Sequence, residues 1–132
     1  MAYLLDTCVV SDIVKNYGDT CRRLHEVPAH EICISALSVM ELEYGIILNP
    51  DKVARVKPAV EALLRTARIV AFDEVAARRT ARLRASLREK GVGIGAYDVL
   101  IAATALALDV TLVTSNEREF RRVPELKVEN WR

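Results

Sequence analysis

The chain alternates short apolar runs with longer segments in which apolar residues recur at every third or fourth position. Short apolar runs bounded by polar residues are typical of buried strands, whereas the longer period is typical of amphipathic helices. The pattern predicts five strands, over residues 2–5, 31–35, 67–72, 110–114 and 126–130. It predicts helices between them, over residues 10–16, 19–26, 38–48, 52–66, 74–90 and 97–108.

This alternation predicts an α/β fold, in which a parallel sheet is covered by helices on both faces. The length of 132 residues is usual for one domain, and we find no repeat, low-complexity segment or linker. We therefore expect a single domain over residues 1–132. Ligands of such folds bind beyond the carboxyl ends of the strands, so functional side chains are expected there.

Acidic residues recur at the positions where strand ends and helix starts should meet. Asp6 interrupts the apolar opening "YLLDTCVV" directly after the first strand, and Glu41 follows the second strand in the expected first turn of a helix. Asp98 begins the apolar helix "AYDVLIAATALAL", and Glu119 lies in "TSNEREF" after the fourth strand. These acids are far apart in sequence, and a parallel sheet would gather them at one edge.

Gathered carboxylates repel one another and raise each other's pKa values, a penalty that a divalent cation removes. Oxygen ligands favour Mg²⁺ or Mn²⁺, and such an ion supports phosphodiester hydrolysis by activating water. The sequence has neither a phosphate-binding Walker loop nor a Ser-His-Asp order. Metal-assisted hydrolysis of phosphodiesters is therefore the reaction that best matches these residues.

Each acid also has a purely structural interpretation. Asp6 is a suitable helix cap, and Ser38 with Glu41 matches a capping box. Asp98 suits the first turn of a helix, and Glu119 suits a solvated surface. The prediction of a shared site rests on the co-occurrence of the four acids and on the apolar neighbours of the first three.

Composition excludes several classes of protein. Hydrophobic residues make up 52% of the chain, charged residues 28%, and the formal net charge is +1, so overall charge does not indicate a nucleic-acid partner. The odd number of cysteines without C-x-x-C predicts a reducing cytoplasm rather than a disulfide framework or zinc site. We expect no signal peptide and no membrane association, because the longest apolar run, residues 99–108, is too short to span a bilayer.

Four stretches together resemble the PIN-domain nucleases, specifically the VapC-type toxins of bacterial and archaeal toxin–antitoxin pairs. The stretches are "YLLDTCVVSDIV", "ISALSVMELEYGI", "GIGAYDVLIAATALALDVTLVTSNEREFRRV" and "LKVENW". The resemblance covers nearly the whole chain. It implies a three-layer α/β/α sandwich around a parallel sheet, a homodimer, and an endoribonuclease that depends on Mg²⁺ or Mn²⁺ and acts as the toxin of the pair.

By this resemblance, Asp6 and Asp98 are the main metal ligands, and Glu41 completes the catalytic acidic pocket. Thr7 matches the small hydroxyl residue after the first acid, and Thr114 matches the hydroxyl residue that ends the fourth strand. Many members of the family carry Asp where this chain has Asn116. The fourth catalytic acid is then either Glu119 or absent, while the side-chain carbonyl of Asn116 can still orient water.

The resemblance also implies an RNA substrate and a cognate antitoxin that inserts a basic side chain into the acidic pocket. Arg118, Arg121 and Arg122 are candidate phosphate contacts, because they lie beside the expected site. The arginine-rich segment 78–90 is a second candidate or a solvated helix face. Apolar residues that form either the antitoxin groove or the core are Val9, Val10, Ile13, Val14, Leu42, Ile46 and Ile47.

Two other functions are compatible with the pattern. The first is a non-catalytic PIN-like module that binds RNA or protein, with Asn116 as a sign of lost activity. The second is a phosphoacceptor domain of the receiver type, which also has an Asp after a parallel strand. The receiver interpretation is weaker, because "YLLDTC" lacks a paired acid and "VTLVTSN" lacks a lysine.

Overall fold

The computed structural model describes residues 2–132, apart from the side chain of Lys52. Five strands form one sheet in the order β3-β2-β1-β4-β5, and every neighbouring pair is parallel. The strands are β1 (Tyr3–Leu5), β2 (Ile32–Ser35), β3 (Arg68–Val70), β4 (Thr111–Val113) and β5 (Val128–Glu129). The parallel sheet predicted from the alternating pattern is confirmed.

Helices connect the strands and cover both faces of the sheet. They are α1 (Thr7–Val14), α2 (Thr20–His25), α3 (Ala36–Leu48), α4 (Pro50–Val53), α5 (Lys57–Thr66), α6 (Glu74–Glu89), α7 (Ala96–Leu108) and α8 (Glu117–Phe120), with a 3₁₀ turn at Ala29–Glu31. None of the helices within residues 2–132 combines the length and apolar character needed to cross a membrane.

The core has two parts, one on each face of the sheet. Successive side chains of a strand point to opposite faces, so Leu4 packs in the cluster with α6 and α7, whereas Leu5 packs in the cluster with α1. Both leucines are fully buried. Helix, sheet and helix therefore form three layers, as the family resemblance implies.

The strand order reverses at β1, the central strand. The chain passes from β1 to β2 on one side of it, and β4 lies on the other side. Such a reversal leaves a crevice at the carboxyl ends of the two strands that flank it. Asp6 closes β1 at this crevice, where its backbone N–H donates to the carbonyl of Val113 at the end of β4 (2.9 Å).

Two helices begin earlier than the periodicity predicts, because polar residues at strand ends cap them. Asp6 caps α1 by accepting a hydrogen bond from the N–H of Thr7, and Ser35 caps α3 by accepting one from Leu37. The predicted capping box of Ser38 and Glu41 is therefore wrong. Ser38 lies inside α3, and Glu41 lies in its second turn rather than its first.

The helix predicted over residues 52–66 is also wrong, since the segment forms two helices, α4 and α5. Pro50 and Pro58 lie at the first or second position of these helices. Proline lacks the N–H that a helix interior needs but fits a helix start, so each proline favours a new helix. The one-turn helix α8 is absent from the prediction because four residues are too few to show a period.

Candidate active site

Asp6 is a buried carboxylate held by donors from two strand ends. Its Oδ1 accepts the N–H of Thr7 (2.8 Å), and its Oδ2 accepts the hydroxyl of Thr114 (2.9 Å). The thiol of Cys8 also donates to Oδ2 (3.4 Å). The side chain is only 6% exposed. Asp6 thus serves as a helix cap and also lies at the crevice between β1 and β4, so its two interpretations are compatible.

Glu41 is joined to the loop after β1 by a hydroxyl group. Thr7 Oγ1 lies 2.8 Å from Glu41 Oε1 and 2.9 Å from the hydroxyl of Ser38, which is fully buried. This network connects the first turn of α1 with the second turn of α3. It orients the Glu41 carboxylate beside the residue that follows Asp6.

Asp98 lies in the first turn of α7, and its carboxyl group is partly buried among other acids. Burial is the largest cause that raises the pKa of Asp98 to about 6. The negative charges of Asp6, Glu119 and Glu41 contribute to the same shift, as does a hydrogen bond with Glu119. Asp98 is therefore the point at which the charges of the other three acids accumulate.

Glu119 is the carboxylate that pairs with Asp98. Its Oε1 accepts the backbone N–H of Gly95, and its Oε2 accepts the side-chain amide of Asn116 (2.7 Å). These hydrogen bonds, that from Gly95 first, lower the pKa of Glu119. Of the two carboxyl groups, Glu119 therefore ionises at the lower pH and Asp98 at the higher.

The structure brings together all four acids named from the sequence, with Thr7, Thr114 and Asn116 as donors to three of them. The ligand type fits a hard divalent cation, because the four acids supply only oxygen atoms. Within the described part of the chain, no three His, Cys, Asp or Glu side chains converge closely enough to hold an ion. Binding a cation therefore requires these side chains to move together.

The three candidate arginines differ in their surroundings. Arg122 donates to the carbonyl of Gly93 (2.9 Å), and its charge acts on Glu119. Arg121 is paired with Glu117 on α8 (2.7 Å), and Arg118 is exposed on the same helix. All three lie on or directly after α8, which carries the fourth acid, so their positions are consistent with phosphate contacts beside the cluster.

The arginine-rich helix α6 lies beside an open groove of about 900 Å³ that it forms with the start of α7. Arg84 and Arg88 line this groove on one side, and Ala96 and Val99, which flank Asp98 in sequence, line it on the other. The groove therefore has positively charged side chains of α6 on one side and the first turn of α7, which contains Asp98, on the other.

Three residues near the acids were not singled out from the sequence: Gly95, Ser38 and Cys8. Gly95 precedes the helix that carries Asp98, and a glycine at that boundary in "GIGAYD" is a signal that sequence reasoning could have used. The sequence pattern of Ser38 indicates only a capping box, not a hydrogen bond to Thr7. Cys8 is a free thiol that also accepts from the Ser115 hydroxyl (3.3 Å), and burial is the largest cause that raises its pKa.

Of the two interpretations of these apolar residues, antitoxin groove or core, the structure supports the core for most of them. Val9, Val10 and Ile13 are buried in the core, because α1 packs directly on the sheet. Leu42 also packs against that cluster, whereas Ile47 is 67% exposed. The exposed apolar residues of α3 are spaced along one side of the helix and form what we call the α3 stripe: Met40, Tyr44, Ile47 and Leu48.

Comparison with known proteins identifies the family to which the chain belongs. The family model for the PIN domain matches residues 3–126. The tRNA(fMet)-specific endonuclease VapC of Salmonella typhimurium is 33% identical over 99% of this chain and 98% of its own length. Ribonuclease VapC2 of Rickettsia felis is 34% identical with the same coverage.

Solved structures give the same result. In the structure of VapBC2 from Rickettsia felis bound to a promoter DNA fragment, a chain superposes with a TM-score of 0.90 at 32% identity, and the match covers all of both chains. In the DNA-bound VapBC of Salmonella typhimurium, a chain superposes with a TM-score of 0.88 at 32% identity, over 100% of this chain and 99% of the other. The chain therefore belongs to the PIN domain family and, within it, to the VapC-type ribonucleases.

Proposed function

We propose that this chain is a Mg²⁺- or Mn²⁺-dependent endoribonuclease that acts as the toxin of a toxin–antitoxin pair. The observation that carries the proposal is the presence of Asp6, Glu41, Asp98 and Glu119 at one edge of the sheet, where Thr114, Thr7 and Asn116 donate hydrogen bonds to three of them. Relatives named as VapC ribonucleases over the full chain support the reaction type. Structures of VapBC complexes support a protein partner.

Asp6 and Asp98 would hold the cation, because they close β1 and open α7 at the crevice where the strand order reverses. When bound, the cation neutralises charge on the phosphoryl group and lowers the pKa of water. Thr114 fixes the orientation of Asp6, and Thr7 fixes that of Glu41. Both carboxylates are thus oriented before substrate arrives, which lowers the cost of assembling the site.

RNA would be held through its phosphates rather than by stacking of bases, since only 5% of residues are aromatic. Arg118 and Arg122 lie beside the acids and would contact the backbone next to the scissile bond. Arg84 and Arg88 would extend this contact along the groove between α6 and α7. The name of the Salmonella relative specifies tRNA(fMet), so we propose that RNA as the first substrate to test.

The antitoxin would bind the α3 stripe. An exposed apolar row on one helix suits the apolar face of a partner helix. Glu41 lies on the same helix, one residue after the first position of the stripe, and so a basic side chain of the partner would reach the acidic pocket. A homodimer is proposed from the family resemblance, and light scattering of the purified protein tests it.

Cleavage of RNA by the purified chain tests the proposed reaction. We expect tRNA(fMet) to be cut with Mn²⁺ or Mg²⁺ and to remain intact in EDTA, leaving 5′-phosphate and 3′-hydroxyl ends. Asp98→Asn should abolish cleavage. Asp109→Asn is the matched control, because Asp109 is an exposed residue at the opposite end of α7. Cation-independent cleavage, or full activity of folded Asp98→Asn, would reject the mechanism.

Absence of hydrolysis in tRNA and total RNA at any cation concentration would instead favour the non-catalytic binding module. Binding of RNA or antitoxin by the same preparation would then define its role.

A further inference from the structure

Glu119 lies on a helix of a single turn, so the helix by itself does little to fix its side chain. Two donors from outside that turn hold both of its oxygens. The backbone N–H of Gly95 binds Oε1, and the amide of Asn116, the residue before the helix, binds Oε2. This arrangement determines which way the fourth carboxylate points.

Gly95 also leaves the space that the two acids occupy. A Cβ at this position would lie 3.1 Å from Oδ2 of Asp98 and 3.3 Å from Oε1 of Glu119. The backbone of Gly95 has φ −56° and ψ 150°, a conformation that every L-residue adopts readily. The backbone therefore does not require glycine here, but a Cβ would force the Asp98 and Glu119 carboxylates to shift by a few tenths of an ångström.

Asn116 contributes an amide where a carboxylate would repel Glu119. Its backbone N–H in turn donates to the hydroxyl of Thr114, which donates to Asp6 (3.0 and 2.9 Å). Asn116 thus links the hydrogen bonds that hold the Asp6 carboxylate to the one that holds the Glu119 carboxylate. Asp98 and Glu119 meet between this residue and Gly95.

We propose that Gly95 and Asn116 are positioning residues that hold the Glu119 carboxylate beside Asp98, so that fewer side chains have to move when a divalent cation binds. The inference rests on the proposed function and adds two residues that do not themselves ligate the cation. Gly95 acts through its N–H and through its missing side chain. Asn116 acts through its amide.

Two substitutions with matched controls test this inference. Gly95→Ala introduces the Cβ described above, and Gly45→Ala introduces one that meets nothing within 4 Å. Asn116→Ala removes the donor to Glu119. Asn130→Ala removes a comparable donor to Glu117, a carboxylate of the same helix outside the acidic cluster (3.1 Å).

Mn²⁺ affinity by calorimetry and the rate of RNA cleavage are measured for all four variants, with unfolding curves to verify folding. Loss of a residue that orients a metal ligand costs about 10–100-fold in affinity or activity. We expect reductions of that order for Gly95→Ala and Asn116→Ala, partly rescued by excess Mn²⁺, and wild-type values for the controls. Rescue by the cation separates a positioning role from a general structural one.

The outcomes distinguish this inference from the proposed function. If the wild-type chain neither binds Mn²⁺ nor cleaves RNA, the proposed function fails. If the wild type is active while folded Gly95→Ala and Asn116→Ala match it in both measurements, the function stands and the positioning role is overturned. Should Gly95→Ala fail to fold, Asn116→Ala decides alone.

Discussion

Thr114 donates its hydroxyl hydrogen to Oδ2 of Asp6 across 2.9 Å, joining residues that are 108 positions apart in the chain. Both side chains are buried. A buried carboxylate is stabilised by each donor it retains, and loss of one leaves an unsatisfied charge. This hydrogen bond therefore connects the end of β1 to the end of β4 and contributes to the stability of the fold.

Thr114→Val should lower the free energy of unfolding by about 1–3 kcal/mol, because the substitution preserves shape and removes only the hydroxyl. Urea denaturation measures the change. Thr66→Val is the control, since the Thr66 hydroxyl is exposed and donates only within its own helix. We expect the control to alter stability by less than about 0.5 kcal/mol. Equal effects of the two substitutions would contradict the role assigned to Thr114.

The raised pKa of Asp98 predicts a pH dependence of stability in the metal-free protein. The folded state binds a proton up to a pKa of about 6, compared with the ordinary value of 3.8. Stability from this group is thus complete below pH 3.8 and falls as the pH rises through 6. Asp98→Asn, which cannot ionise, should stabilise the protein in EDTA at pH 8 but much less at pH 4.

The size of this effect is on the order of 1 kcal/mol, because the side chain is only partly buried and solvent screens the repulsion. Denaturation curves of wild type and variant at the two pH values measure it. Asp109→Asn should show no such pH-dependent difference. A variant that is less stable than wild type at pH 8 would rule out charge accumulation at Asp98.

Arg132 and Asp12 form an ion pair that ties the last residue of the chain to α1. Nε and Nη2 of Arg132 bind the two carboxylate oxygens (2.8 and 3.1 Å), and Asp12 is only 7% exposed. The guanidinium also stacks over the ring of Tyr17, 4.5 Å from its centroid. Removing one partner of such a pair leaves the other charge buried and unpaired.

Arg132→Met should therefore destabilise the fold, and Arg132→Lys should recover only part of the loss because lysine lacks the planar fork. Thermal or urea unfolding gives the values. Arg22→Met serves for comparison, since Arg22 pairs with Asp19 and Glu26 at an exposed site. We expect Arg22→Met to cause a smaller loss of stability than Arg132→Met, because solvent screens an exposed ion pair. Equal losses of stability in Arg132→Met and Arg22→Met would mean that burial of Asp12 does not strengthen its ion pair with Arg132.

If the antitoxin binds the α3 stripe, a substitution there should weaken antitoxin binding and leave RNA cleavage unchanged. Ile47→Ser removes an apolar side chain that is 67% exposed, so the fold should tolerate it. We expect affinity for the co-expressed antitoxin to fall at least about tenfold, or about 1.4 kcal/mol, with cleavage unchanged. Val75→Ser on α6, at 62% exposure, is the matched control and should retain full affinity. A stronger effect of Val75→Ser would place the partner elsewhere.

Local pattern determined most of the secondary structure of this protein. The predicted runs contain all five strands. The central strands β1, β2 and β4 are apolar because both of their faces are covered, whereas the edge strands β3 and β5 are partly exposed and carry Arg68 and Glu129. The same pattern missed helix boundaries where side chains decide them. Asp6 and Ser35 start α1 and α3 early through caps, and Pro58 divides the segment that reads as one helix.

The acids themselves are visible in the sequence, since Asp6 follows a predicted strand and Asp98 begins a predicted helix, although Glu41 lies one turn further into its helix than predicted. The resemblance of four stretches to VapC-type toxins indicated the family, and the comparisons confirm it. Sequence left open whether Asn116 or Glu119 belongs with them. Both face the site, the first as a donor to the second.

Only the tertiary structure decided how these residues meet. The strand order brings the ends of β1 and β4 together, and no local rule connects Thr114 with Asp6. The space that Gly95 leaves for Asp98 and Glu119 depends on two separate segments, the start of α7 and the helix α8, packing against each other. Apolar periodicity specifies which face of an element is buried, whereas charge contacts at strand ends depend on the packing of whole elements against one another.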